Sequence, residues 1–441
     1  MCMVDARIWT APRGLAYCGP AAMSPPPPDH QTSDSAPSCG KLHNPLIQPM
    51  LDTPHAFYAR ARREEPIFFS EAAGAWILTR HEDICAIARD VARFSSVGIL
   101  DGGPGMPPEV IAELMRGFPP VRGIVDSDAP YHTRVRALAN KALSLRRTAA
   151  FEPRIRAIAE QLIDGFVERG HVELVRAFAL PLPGSFIVDL FGFPREDLAL
   201  FSRWSDDWIG FASYSDAPLE KIVGHARGMV EFQHHLAAAI KDRQEHPRDD
   251  ALSDLVSDDG GPPLSLGELV NTAVQIIFAG HETTAGLITA AAAALASDSA
   301  LAAAARDDAA VRDGVVEEAA RTSSLVHSMF RYALADVELH GTTIRRGDRV
   351  QLVWISGNRD EHQFTDPQRF DATRKGPHIA FGHGPHYCLG APLARLEARI
   401  AVETLLRRLP GLRLADDRPL EHVAGPTVRR IKALELAWDR G

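Results

Sequence analysis

The chain has 441 residues, 45% of them hydrophobic, and a net charge of −9. That length and apolar content suit a large packed core, and the acidic balance gives nucleic acid no reason to bind. Five cysteines, an odd and sparse set, do not make a disulfide framework, so a reducing cytoplasm is the expected location.

Residues 1–41 carry "SPPPPDH" and "TSDSAPS" with no steady apolar period. They are expected to form a disordered tail, with Cys2, Cys18 and Cys39 outside any core. No apolar run precedes a small-residue cleavage site, so the tail is a poor signal peptide. Residues 42–441 are expected to form one domain. "PHAFYARARREE" has helical spacing, and "PIFFS" and "AWILTR" read as a hairpin around "EAAGA". "HEDICAIARD" is helical, and "SSVGILDGGPGMPP" is a loop. Helical patterns dominate residues 131–255, with breaks expected at "PLPGS", "GFPRED" and "EHPRDD". Ser265 and Glu268 make a capping box that opens a long helix. Within it, residues 269–296 are long and apolar enough to test for a membrane span. Asn271, Gln275, His281 and Glu282 interrupt them, which favours a buried helix and no membrane segment. Strand and turn signals return at residues 340–353; a last helix follows Cys388, and "KALELAWD" closes as a strand. The expected fold class is mainly α with small β-sheets. Early and late strands are expected to pair, giving a single interwoven domain.

Near the end stands "FGHGPHYCLG", residues 381–390. A nucleophilic Cys388 would need a base and an oxyanion site, and His386, two residues away, is badly placed to serve. A zinc site would need more ligands, and Cys85 lies in an apolar helical context. A haem thiolate needs a tight loop whose backbone N–H groups point at sulfur. Gly382, Gly384 and Gly390 suit that turn, and Pro392 suits the first turn of the following helix. Cys388 then lies at a helix N-terminus, which favours an anion.

The run phenylalanine–glycine–x–glycine–x–histidine–x–cysteine–x–glycine resembles the signature of the cytochrome P450 superfamily, matched by Phe381, Gly382, Gly384, His386, Cys388 and Gly390. "AGHETT", residues 279–284, resembles the family's oxygen-activation motif. Small Ala279 and Gly280 would let a flat cofactor approach. Thr283 lies four residues after Ala279, so its hydroxyl can bond that carbonyl and loosen the helix, while Glu282 can relay protons. "EEAAR" places Glu318 and Arg321 one turn apart; alone this is an ordinary surface pair. The resemblance implies a buried network with Arg369 of "DPQRF" as third member, a glutamine standing before it where many relatives have glutamate.

"DAPYHTRVRALAN" resembles the family's helix at the haem edge, which implies that His132, Arg136, Arg331 and His386 bind the propionates of haem b. The resemblance covers roughly residues 45–438 and is of the soluble bacterial type. It implies a monomeric monooxygenase that takes O2 and receives electrons from a ferredoxin and an NAD(P)H-dependent ferredoxin reductase. Arg146, Arg147, Arg395 and Arg399 are expected to form the ferredoxin's docking patch. Cys388 is the implied iron ligand, and Glu282 with Thr283 the proton-delivery pair. The implied substrate pocket comprises Ile99, Leu100, Val274, Phe278, Ala279, Val326, His327, Met329, Thr427 and Val428. Most are apolar, which suits a steroid, terpenoid, fatty acid or polyketide, with His327 able to bond an oxygen on it or to be an ordinary pocket-edge residue. Alternatives are a peroxygenase or isomerase that uses peroxides, and a non-catalytic haem sensor; an intact Glu282–Thr283 pair argues against both.

Overall fold

The computed structural model describes residues 38–441 other than 46, 101–105, 120, 213–216, 258–260, 424–426 and 441. Helices make up most of it. The early ones are α1 (Cys39–Leu42), α2 (His55–Glu64), α3 (His81–Arg89) and α4 (Pro108–Leu114). A helical block follows: α5 (Tyr131–Ala142), α6 (Leu145–Ala150), α7 (Glu152–Asp164), α8 (Pro181–Leu190), α9 (Leu198–Ala212), α10 (Leu219–Glu245) and α11 (Ala251–Leu255). Then come α12 (Leu266–Ser297), α13 (Ser299–Asp307), α14 (Ala309–Ser323), α15 (Trp354–Gly357) and α16 (Ala391–Arg408).

The capping box starts α12: the Ser265 side chain accepts from the Glu268 N–H, and Glu268 accepts from the Ser265 N–H. This 32-residue helix then runs through the core, packed by α8, α10, α14 and α16, and most of its side chains are buried. Its polar interruptions are met inside the protein: Asn271 donates to the Val121 carbonyl and Gln275 to Asp126. No single described helix is long and apolar enough to cross a membrane.

The sheets tie the chain's ends together. Strands β1 (Ile67–Ser70) and β2 (Ala75–Leu78) form the expected hairpin, and β3 (Phe94–Ser95) follows α3. A short β4 (His171–Glu173) lies within the helical block. Later come β5 (Met329–Ala333), β6 (Val337–Leu339), β7 (Thr342–Ile344) and β8 (Arg349–Leu352). Last are β9 (Arg413–Leu414), β10 (His422–Val423), β11 (Arg430–Ile431) and β12 (Glu435–Ala437). The main sheet has the order β1-β2-β8-β5-β3. β2 runs parallel to β8, pairing Trp76 with Val350 and Leu78 with Leu352, so early and late strands do join.

Three expectations change. The tail boundary moves, because Cys39 is fully buried at the start of α1, its N–H donating to Glu65; residues 1–37 lie outside the described residues. "PLPGS" does not break a helix but begins α8, where prolines in the first turn forfeit no helical hydrogen bond. β4 falls where helix was expected; Gly170 in a left-handed turn (φ +76°) sends three residues onto β12, pairing Val172 with Leu436.

Candidate functional site

The cysteine loop is closed by the Cys388 N–H, which donates to the Phe381 carbonyl at 2.8 Å. Gly382 and Gly384 hold φ of +75° and +73°, where glycine is favoured. A side chain on Gly384 would also run into the Ala88 carbonyl at the end of α3, so the loop is seated directly on that helix. Gly390 differs from the expectation. Its φ of −81° suits any residue, and a Cβ there would meet no protein atom within 4 Å. What this glycine leaves is open space beside the cysteine.

Cys388 is exposed, yet burial pushes its thiol above the ordinary range. The N–H groups of Gly390 and Ala391, with Arg136 and Arg395, act in the opposite direction by favouring a thiolate. The sulfur is thus reachable although the protein around it desolvates the charged form. Ala279 behaves alike: it is exposed on a helix whose side chains are otherwise mostly buried.

Near this loop the structure gathers positive charge. His132 and Arg136 lie one turn apart on α5, Arg331 comes from β5, and His386 from the cysteine loop. The His132 and His386 rings are 4.1 Å apart, His386 Nε2 is 3.0 Å from Ser96 Oγ, and Arg136 donates to the Tyr387 carbonyl at 2.6 Å. Burial, then Arg331, His132 and Arg136, take His386 down to about 3, so it is neutral. Burial lowers Arg331 to about 10, against the pull of Asp128. That carboxylate is shared with Ser95 and the Ser96 N–H. Arg331 is 4% exposed, and among the described residues its one side-chain hydrogen bond goes to the Phe330 carbonyl. His132 Nε2 is buried with no hydrogen-bond partner among the described residues. Donors and charge thus exceed the acceptors present, which fits a dianionic ligand such as the two propionates of a haem.

On α12, Thr283 Oγ1 donates to the Ala279 carbonyl at 2.6 Å. The helix nevertheless runs unbroken through this point, so the expected loosening does not occur; the hydroxyl adds a donor without displacing the helical turn. Gly280 serves packing: a Cβ there would sit 3.4 Å from Ile187 of α8. Glu282 lies 3.4 Å from Arg430. Burial raises the Glu282 carboxyl, Arg430 lowers it and Asp206 raises it, with a net upward shift. His281 bridges Ser205 Oγ of α9 at 2.8 Å and the Leu180 carbonyl at 3.0 Å.

Glu318 and Arg321 are 3% and 1% exposed and joined by bonds of 2.6 and 2.8 Å. The third guanidinium is not that of Arg369. Arg369 is exposed and gives only its carbonyl, which accepts from Arg321 at 3.3 Å. Arg374, five residues on, turns inward instead and donates to Glu318 at 3.2 Å. Its motif neighbours gave no sign of this, because the loop's wrapping decides which side chain reaches the acid.

A family model for cytochrome P450 matches residues 218–419. The chain is 37% identical over 407 residues to cytochrome P450 monooxygenase PikC of Streptomyces venezuelae, covering 90% of this chain and 94% of that protein. It is 35% identical to the mycinamicin IV hydroxylase/epoxidase of Micromonospora griseorubida, covering 82% and 89%. The solved structure of cytochrome P450 CREJ with (4-ethylphenyl) dihydrogen phosphate superposes with a TM-score of 0.85 at 30% identity, covering 91% of this chain and 100% of that one. The chain belongs to the cytochrome P450 family. It is a haem-thiolate monooxygenase, an oxidoreductase, and has the P450 fold.

The expected pocket residues of this P450 divide. Val326 bridges Val428, and the His327 N–H donates to the Thr427 carbonyl at 2.8 Å, so the 326–327 and 427–428 segments meet. Met329 opens β5 and is partly buried beside them in sequence. Leu100 is exposed, whereas Ile99 and Val274 are buried. Phe278 is no free wall: it stacks on Trp208 at 4.5 Å and meets Phe232 edge-on at 5.2 Å, inside the α9–α10 aromatic cluster. His327 is 5% exposed and near enough to His43 to disfavour charge there. The expected basic patch thins as well. Arg395 pairs with Glu317 at 2.6 Å and lies 4.2 Å over the Phe381 ring. Arg147 pairs with Asp254 at 2.7 Å and Arg399 with Asp313 at 3.7 Å, while Arg146 is exposed.

Proposed function

We propose that this P450 inserts one oxygen atom of O2 into a hydrophobic small molecule, with haem b held through the Cys388 thiolate. The observation that carries the reading is the accessible Cys388 just before α16, in a loop where the Gly390 and Ala391 N–H groups, Arg136 and Arg395 favour its thiolate. When bound, haem supplies the centre at which O2 is reduced and oxygen is passed to substrate. The chain's own residues do the rest. His132, Arg136, Arg331 and His386 anchor the propionates. Phe381 and Gly382 shape the loop, and Gly390 and Ala279 leave room for the flat ring. Thr283 and Glu282 bring protons to the oxygen side; two protons and two electrons convert the second oxygen atom to water.

One relative is named for mycinamicin IV and two others for steroids, which supports a hydrophobic small-molecule substrate without naming it. Electrons come from an acidic ferredoxin and its NAD(P)H-dependent reductase, docking on the cysteine side near exposed Arg146. The test is spectroscopic. The reduced CO complex shows the red-shifted Soret band of thiolate ligation, and Cys388→Ala loses it. A band that survives this substitution refutes the assignment. Spin-shift titration with steroids, terpenoids, fatty acids and macrolides then ranks substrate classes.

A further inference from the structure

Arg430 of β11 packs against α12 at Gly286, where a Cβ would lie 3.3 Å from the arginine's own Cβ. Gly286 is one turn after Glu282 on the same face of α12. The strand's side chain therefore lies over this turn, and its Nη2 reaches back to Glu282 Oε1 at 3.4 Å, with side chains 12% and 14% exposed. The contact is ionic but not tight. Among the described residues, Glu282 Oε1 and Arg430 Nε are both buried with no hydrogen-bond partner, and the remaining bond of Arg430, to the Ile431 carbonyl, is 3.4 Å long. The other charged groups acting on this acid are few: Asp206 of α9, and beside it in the chain His281, which burial holds neutral between Ser205 and Leu180.

We propose that Arg430 is a positioning residue for the oxygen site: a side chain from the C-terminal sheet that serves as counter-ion to Glu282 and fixes its carboxylate next to Thr283. This rests on the reading of Glu282 and Thr283 as the proton-delivery pair. Gly286 lets the strand lie close: a side chain there would run first into Leu325 and would then crowd the Arg430 Cβ. The loose geometry suits a relay: a carboxylate locked by two short hydrogen bonds could not turn to exchange a proton, whereas one held mainly by charge can.

The direction of the effect is defined. Without Arg430, burial and Asp206 both push Glu282 upward and nothing opposes them. A carboxyl raised in this way takes up its proton at higher pH. The experiment is an infrared pH titration of the haem-loaded, substrate-free ferric enzyme, following the protonated-carboxyl band that disappears in Glu282→Gln. Arg430→Met should move its midpoint upward by about one pH unit or more, Arg430→Gln should do the same, and Arg430→Lys should restore most of the shift. The pH profile of product formed per NADPH should move in the same sense. A purely structural arginine would leave the midpoint alone. Unchanged midpoints in both neutral variants, or a lysine variant no nearer to wild type than methionine, overturn the proposal. Failure of the parent reading is seen separately: it appears as unchanged product per NADPH in Thr283→Ala, whereas the infrared titration reports on the Arg430–Glu282 pair regardless.

Discussion

The buried network around Glu318 gives the sharpest test, because sequence and structure name different arginines. Arg321 donates twice to Glu318 and also to the carbonyls of Asn358 at 2.7 Å, Pro367 at 3.0 Å and Arg369 at 3.3 Å. Arg321→Met strands an acid that is 3% exposed, although the Arg374 Nε and the Asp371 N–H still reach it. Breaking a buried pair in this way costs about 3–5 kcal/mol, and the two surviving donors place the effect at the lower end. Arg374→Ala removes one bond to Glu318 and others to the carbonyls of Thr365, Asp366 and Arg369 from a site at 13% exposure, a loss of about 1–2 kcal/mol. Arg369→Ala leaves its carbonyl in place and should stay within about 0.5 kcal/mol of wild type. Urea unfolding at neutral pH, followed by tryptophan fluorescence and by haem retention, ranks the three. An Arg369→Ala protein as unstable as Arg374→Ala would refute the assignment. The pH dependence follows from the same bonds. Burial raises the Glu318 carboxyl, but Arg321, the Asp371 N–H and Arg374 outweigh it and hold the folded value below the ordinary one. The contribution is therefore full above the unfolded value of about 4.3 and lost as pH falls through the lower folded value. The stability gap between wild type and Glu318→Gln should close over that acid range.

Thr283→Ala should keep the CO band and substrate spin shift while diverting NADPH into peroxide; unchanged product per NADPH would remove Thr283 from the proton path. Arg331→Leu should stabilise the apoprotein to urea, because it removes a buried cation with one hydrogen bond, and should weaken haem retention. Loss of stability in the apoprotein would show that Arg331 is already satisfied without the cofactor. Arg146→Glu should slow reduction by ferredoxin in a salt-sensitive way and leave dithionite reduction intact, whereas Arg395→Ala, already paired with Glu317, should act through stability instead. Ferredoxin kinetics that ignore Arg146→Glu would put the docking face elsewhere.

Most of what could be read from the chain alone was local. The Phe381-to-Gly390 loop, the Ser265–Glu268 capping box and the β1–β2 hairpin each depend on residues close together in the chain, so spacing and turn chemistry suffice. The Thr283 bond to Ala279 follows from helical period in the same way. Long-range wrapping decided the rest. Arg369 and Arg374 are equally plausible partners in a sequence, and only the path of the loop between them turns one outward and the other onto Glu318. Cys39 looked like tail and is core, because α1 lies on β1, which no periodicity in a four-residue helix announces. His327 and Phe278 carry residue types suited to a pocket, yet one sits by His43 and the other stacks on Trp208. Arg430 meets Glu282 because β11, far away in the sequence, is laid along α12. Hydrogen-bonding rules within a helix or turn act over a few residues, whereas the choice of a buried charge's partner is made by the packing of elements far apart in the chain.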